Sequence, residues 1–255
     1  MNLFIHGLDA NIQLGNSYFD DKHSTLKADY VLANPPFNDG SKGESGWGAD
    51  RIADKDPRLT VSGQKMALSP RNANTMWMLH FLSHLKDGGT AGFVMATGEL
   101  STSEISRLDV RKALVDRDYV DCVVQLVGQL FANTQIPCSL WFISKNRNGG
   151  NGYRKRNGEV LFIDGRKLGT LIQGSRKQKE LSAKELERRG TDGRRSTLQP
   201  GGNLFRSRSG SPTWRSRMPW PTDGAPSTES QRGQFALLAA LVEFCSSRDT
   251  HGGSS

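Results

Sequence analysis

The 255-residue chain, 28.1 kDa, is long enough to bury one good core with room for an appendage, and it carries 34 Lys and Arg against 26 Asp and Glu, a formal charge of +8. That excess favours a polyanionic partner, because a basic surface gathers phosphates before any specific contact forms. Cys122, Cys138 and Cys245 have no CxxC spacing and form no even set, which argues against a disulfide framework or a cysteine zinc site; with no leader-like start and no apolar run of roughly 18 residues, a cytoplasmic protein is expected.

In chain order, Asp29-Tyr-Val-Leu-Ala33 reads as a buried central strand that stops at Asn34-Pro35-Pro36-Phe37, where proline removes the backbone donors. The polar, glycine-rich stretch from Asn38 to about Arg71 is long for a connection and predicts a functional or mobile loop. Met78, Leu79, Phe81, Leu82 and Leu85 recur at helical spacing over 74–86, with Gly88-Gly89 as the stop, and Ala91 to Ala96 reads as a second buried strand. Ser101 and Glu104 have capping-box spacing before a helix over 108–115. Valine-rich 119–127, then 138–143 and 160–163, read as strands, and 145–157 as a basic turn or hairpin. Ser182 with Glu185 marks a last helix. The rhythm is that of a parallel α/β sheet.

Beyond about Arg189 the composition changes: residues 191–255 hold eight arginines and no lysine, spaced by Ser, Gly and Pro. A partial domain over 1–189 followed by a low-complexity, disordered tail over 190–255 is expected. The joint loss of lysine and periodicity favours a shifted frame or misjoined gene over a genuine arginine-rich tail.

The strongest chemical signal is Asn34-Pro35-Pro36-Phe37. At the carboxyl end of a strand it lies on the side of an α/β sheet where ligands bind. An aromatic amine such as adenine N6 is a poor nucleophile because its lone pair is delocalised. The Asn34 side-chain carbonyl and the Pro35 backbone carbonyl could hold its two hydrogens aside, the prolines fixing that backbone, while Phe37 offers a face on which an extruded base stacks. Catalysis would rest on orientation and preorganised acceptors. The bland alternative is an Asn-Pro-Pro turn beside a core phenylalanine.

The chain resembles the methyltransferase subunits of bacterial type I restriction-modification systems, through ADYVLANPPFN at 28–38, PRNANTMWMLHFLSHLKDGGTAGFVMATGEL at 70–100, VRKALVDRDYVDCVVQLVGQLFANTQIPCSLWFISKN at 110–146 and GEVLFIDGRKLGTLI at 158–172. The resemblance implies a Rossmann-like fold that uses S-adenosylmethionine to methylate adenine N6 in duplex DNA, in complex with a specificity subunit and, for cleavage, a restriction nuclease subunit. The family's (D/N)PP(F/Y) motif falls on Asn34 to Phe37. Its Asn-Ala-Asn segment falls on Asn72 to Asn74, and its Leu-Phe-x-Asn-Thr segment on Leu130, Phe131, Asn133 and Thr134. Asn72, Asn74, Asn133 and Thr134 are therefore DNA-facing or pocket-shaping candidates, with caps and turns as the alternative.

Two departures set further expectations. Only 33 residues precede Asn34, with no strand and glycine-rich turn to receive the cofactor, so the fold is expected to be N-terminally truncated and its main donor pocket absent. Asn16 stands where the family has aspartate, leaving it as a weak cofactor-side residue or simple turn chemistry. A catalytically inactive fragment, with at most residual nucleic-acid or subunit binding and poor solubility alone, is thus the competing reading; methylation of RNA or of a protein glutamine is another. Arg147, Arg154, Lys155 and Arg156 form a candidate phosphate-contact patch or a solvated hairpin tip. His80 and His84 are four apart, but HFLSH lacks the glutamate of a metalloprotease motif and no third ligand is evident, so no metal is expected.

Overall fold

The computed structural model describes residues 9–40, 43, 46–130, 136–149, 155–175, 177–182, 194–197 and 206–208. The first strand, β1 (Ala28–Ala33), is followed by a short hairpin, β2 (Thr60–Val61) and β3 (Gln64–Lys65). Helix α1 (Asn74–Ser83), the long strand β4 (Leu85–Ala96), helix α2 (Ile105–Asp116), β5 (Val120–Leu126), β6 (Cys138–Ser144) and β7 (Glu159–Gly165) complete the body. Two short pairs come next, β8 (Thr170–Leu171) with β9 (Lys179–Glu180), and β10 (Arg194–Thr197) with β11 (Arg206–Arg208).

The sheet order is β1-β4-β6-β5-β7-β10-β11. β1 with β4 and β5 with β7 are parallel, but β6 runs antiparallel to both its neighbours, so the sheet is mixed and not parallel throughout. The reason is the short connection from β5 to β6: it spans 127–137, too few residues for the helical crossover that a parallel return requires. β6 is buried at every position because it lies in the middle of the sheet.

Among the described residues β1 pairs on one side only, so it is an edge strand and not the buried central strand that its apolar run predicts; Tyr30 is 47% exposed. The helix also stops earlier than Gly88-Gly89: α1 ends at Ser83 and the chain enters β4 at Leu85. The two glycines instead serve an irregularity in the β1–β4 pairing, where Gly88 has φ +85° and a Cβ on Gly89 would lie 2.9 Å from the Ala28 carbonyl. Helix α2 begins at Ile105 after Glu104, without a side-chain cap from Ser101.

The segment after the first strand is packed. Its hairpin turns on Ser62 and Gly63, both at positive φ, and it buries Trp47, Ile52, Leu59, Val61 and Met66, with Trp47 Nε1 donating to the Ser69 carbonyl at 2.9 Å. These join Met76, Met78 and Leu79 of α1, Val110 and Leu114 of α2, and Phe93, Met95, Trp141 and Ile143 of the sheet in one core. Alternation along the strands sends Val94, Cys122, Val124, Leu140 and Phe142 to the opposite face, where Leu32 and Phe37 pack on them.

The expected helix near Ser182 and most of the expected tail lie outside the described residues. Within the tail, the backbone at Arg194–Thr197 pairs antiparallel with β7, so the sheet continues past residue 189.

Candidate active site

Asn34-Pro35-Pro36-Phe37 leaves the carboxyl end of β1 and enters a turn at Phe37 and Asn38. Asn34 and Pro36 are exposed, Pro35 is buried, and Phe37 is half-buried against the second core face. The Asn34 amide is thus free to meet a ligand at the sheet's carboxyl edge.

The loop after the motif is held by a polar network beneath it. Asn38 adopts φ +52°, a left-handed conformation that asparagine tolerates. Its backbone N donates to Asn74 Oδ1 at 2.9 Å while Asn74 Nδ2 donates back to Asn38 Oδ1 at 2.9 Å. Asn74 Nδ2 also donates to Glu99 Oε2 at 2.9 Å. Glu99, fully buried just past β4, is paired with Arg107 and, at 3.3 Å, with Arg111, both from α2. A buried carboxylate is tolerable only with such compensation, and here its second effect is to fix the Asn74 amide. Asn72 Oδ1 accepts from Asn74 N at 3.2 Å, so the Asn-Ala-Asn segment is a turn into α1. Asn72 and Asn74 are both buried, which corrects their reading as DNA-facing residues; they position the loop instead.

Neighbouring contacts tighten the same loop. Ala73 N donates to the Asp39 carbonyl at 2.9 Å, and a Cβ on Gly40 would stand 2.3 Å from the Arg71 carbonyl, so only glycine permits this approach. Tyr18 Oη donates to Asp39 Oδ2 at 2.7 Å and accepts from Trp77 Nε1 at 3.2 Å. Burial, then the Asp39 carboxylate, push the Tyr18 phenol well above its ordinary range, so it stays a donor. Asn16 takes the turn role: its Oδ1 accepts from Tyr18 N at 3.0 Å and its carbonyl from Phe19 N and Asp20 N at 3.0 and 2.8 Å. It therefore sets Tyr18, one step removed from the motif. Tyr18, Asp39 and Glu99 were not legible as site residues, since each becomes relevant only through a partner distant in sequence.

The basic patch is corrected. Arg147 and Arg156 are 4% and 6% exposed and both pair with Asp121 of β5, Arg156 Nε reaching its two oxygens at 3.0 Å each. Arg147 Nη2 also donates to Asp118 Oδ1 at 3.1 Å and to the Arg156 carbonyl at 3.0 Å. These guanidinium groups tie the 147–156 excursion to β5 and cannot reach phosphate. Of the described residues in that set Lys155 alone is exposed; Arg154, Asn133 and Thr134 lie outside the described residues.

Residues 1–194 match the family model for N-6 DNA methylases. The chain belongs to the N-6 DNA methylase family. It is 42% identical over 189 residues to the methylase subunit of the type I restriction enzyme MjaIX of Methanocaldococcus jannaschii, a match covering 74% of this chain and 32% of that one. It is 37% identical over 173 residues to the corresponding HindI subunit of Haemophilus influenzae, covering 67% and 35%. The solved type I restriction-modification methyltransferase subunit of Streptococcus thermophilus superposes with a TM-score of 0.58 at 28% identity, over 72% of this chain and 36% of that one. The fold is that of methyltransferase subunits of this kind, and the match spans about a third of the length of these relatives.

Proposed function

We propose that this N-6 DNA methylase chain supplies the amine-orienting half of an adenine-N6 transfer site, with S-adenosylmethionine as methyl donor and duplex DNA as substrate, inside a type I restriction-modification complex with a specificity subunit and a nuclease subunit. The observation that carries the reading is the exposed Asn34 amide on a proline-stiffened strand end, braced by the network that runs from Asn38 to the buried Asn74 and Glu99. Asn34 Oδ1 and the Pro35 carbonyl would accept the two N6 hydrogens, leaving the amine lone pair directed at the methyl group, while Phe37 gives an apolar face to the extruded base. The motif would not have to act as a strong base, because its task would be to hold and orient the amine.

S-adenosylmethionine supplies an electrophilic methyl group. Among the described residues no strand with a glycine-rich turn precedes β1, and the Asn16 side chain is engaged in its turn, so these residues do not by themselves fit a donor pocket. That observation favours a second reading for the isolated chain, an inactive piece that keeps the acceptor half only.

Two measurements separate the readings. Titration of S-adenosylmethionine into the folded chain, with circular dichroism on the same sample, gives no saturable heat if the acceptor half stands alone. Transfer of labelled methyl to adenine-containing duplex, with the partner subunits present, should appear and fall by about 100-fold or more in Asn34→Ala, comparable to losing one preorganised transition-state contact. Transfer confined to RNA or to a glutamine peptide would sink the DNA assignment.

A further inference from the structure

His80 and His84 lie one turn apart at the carboxyl end of α1, and the turn opened by Asn16 brings Asp21 against both. Asp21 Oδ2 is 3.3 Å from His84 Nε2 and 4.0 Å from His80 Nδ1, and the three atoms lie within 4.8 Å of one another. Hydrogen positions are set by the neighbours. Ser83 Oγ donates its hydrogen to the His80 carbonyl at 2.7 Å; His84 Nδ1 then faces two acceptors, that hydroxyl oxygen at 3.0 Å and the same carbonyl at 3.1 Å. Nδ1 must carry the ring proton. In the neutral ring Nε2 then keeps its lone pair; it is buried without a hydrogen-bond partner, on a residue only 8% exposed, and faces a carboxylate oxygen.

His80 presents a second lone pair. Its Nδ1 lies 3.3 Å from Arg58 Nη1, which can only donate, so that nitrogen is unprotonated. Two imidazole nitrogens and a carboxylate oxygen within 4.8 Å of one another are the donor set of a borderline cation.

We propose that Asp21 Oδ2, His80 Nδ1 and His84 Nε2 bind one divalent transition-metal ion of the zinc class. Bonds of about 2.0–2.2 Å at tetrahedral angles place donor atoms roughly 3.3–3.5 Å apart, the separation that Asp21 and His84 already have. His80 must close on both, from 4.0 Å at Asp21 Oδ2 and from within 4.8 Å at His84 Nε2, exchanging its contact with Arg58. Arg58 is held independently by Asp56 at 2.7 Å and by the carbonyls of Ser17 and Tyr18 at 2.6 and 2.7 Å. A cavity of about 470 Å³ is lined by Asp21 and His84, together with Phe19, Ser24 and Lys27, though not by His80, so a fourth ligand would come from the Asp21–His84 side. The His84 Nδ1 bond to a backbone carbonyl is the outer-shell support that fixes a metal-binding tautomer.

The ion is a clip and not a reactant. The cluster lies at the far end of α1 from Asn74, a helix of ten residues and thus about 15 Å. It would fasten the Asn16–Asp21 turn to α1, and the same turn carries Tyr18, which holds Asp39 beside the catalytic motif.

The test uses the tag-free 255-residue chain stripped with a chelator and titrated with ZnCl2 against a chromophoric competitor, with MgCl2 as the control metal. One equivalent of zinc should bind and magnesium should not, and affinity should fall by at least about 100-fold in Asp21→Asn and in His84→Gln. Should either variant unfold, Co2+ added to the wild-type chain decides, because it must shift the ring resonances of His80 and His84. Absence of stoichiometric zinc binding, undiminished binding in folded variants, equal magnesium binding, or cobalt shifts confined to His6, His23 or His251 would each overturn the site.

Discussion

Glu99 and Asp121 are both carboxylates with almost no exposure, and each is paired with two arginines, yet they sit at opposite ends of the same sheet. Glu99 follows the carboxyl end of β4, the end from which the Asn34 motif also emerges, and passes its order to Asn74 and Asn38. Asp121 lies near the start of β5, and its arginines fasten the 147–156 excursion. The same chemistry therefore braces a reactive loop at one end and closes a turn at the other. Position relative to the strand ends, not composition, separates site from scaffold.

The comparison makes definite claims. Asp121→Ala leaves two buried guanidinium groups without their carboxylate and should cost about 3–5 kcal/mol in urea unfolding, while methyl transfer per folded molecule in the assembled complex stays at the wild-type rate. Glu99→Gln keeps the shape and removes the charge; a loss of about 1.5–3 kcal/mol is expected, here accompanied by a drop in transfer of about tenfold or more, since displacement of a positioned group by 1 Å can cost more than that. Equal activity losses in the two variants would erase the distinction between the ends of the sheet.

Tyr18→Phe probes the outer edge of the reactive end. Asp39 loses its phenol donor, for about 1 kcal/mol of stability, and amide exchange over 38–40 should quicken while the β5–β6 amides stay protected. The smallest effect concerns the cysteines on the second core face. Burial pushes the Cys138 thiol up to about 12 and the Cys122 thiol higher still, so neither should react with a thiol reagent at pH 8 until the sheet unfolds. Fast labelling of either would mean that this face opens locally.

Much of the body could be read from the residues alone. Valine-rich 119–127 and the run 138–143 form strands close to their expected bounds, and the helical spacing of Met78, Leu79 and Leu82 marks α1, because burial periodicity is a local property. The Asn-Pro-Pro-Phe motif could be found for a related reason: its chemistry is carried by four adjacent residues whose backbone the prolines preset.

Other features required the tertiary structure, since each depends on which segments meet. The apolar run of β1 does not announce that, among the described residues, it pairs on one side only. The reversal of β6 comes from a connection too short for a crossover, and the glycines at 88 and 89 stop no helix but ease a strand against its neighbour. Arg147 and Arg156 look like phosphate contacts in a basic turn until Asp121 is brought beside them. Glu99 is silent until Asn74 and two arginines surround it, and Asp21 until α1 presents two imidazoles to it. The sequence determined the strand and helix segments and the reactive tetrapeptide, whose physics is local. Only the fold decided which charges are buried together, because the pairing of groups dozens of residues apart is set by packing and not by spacing along the chain.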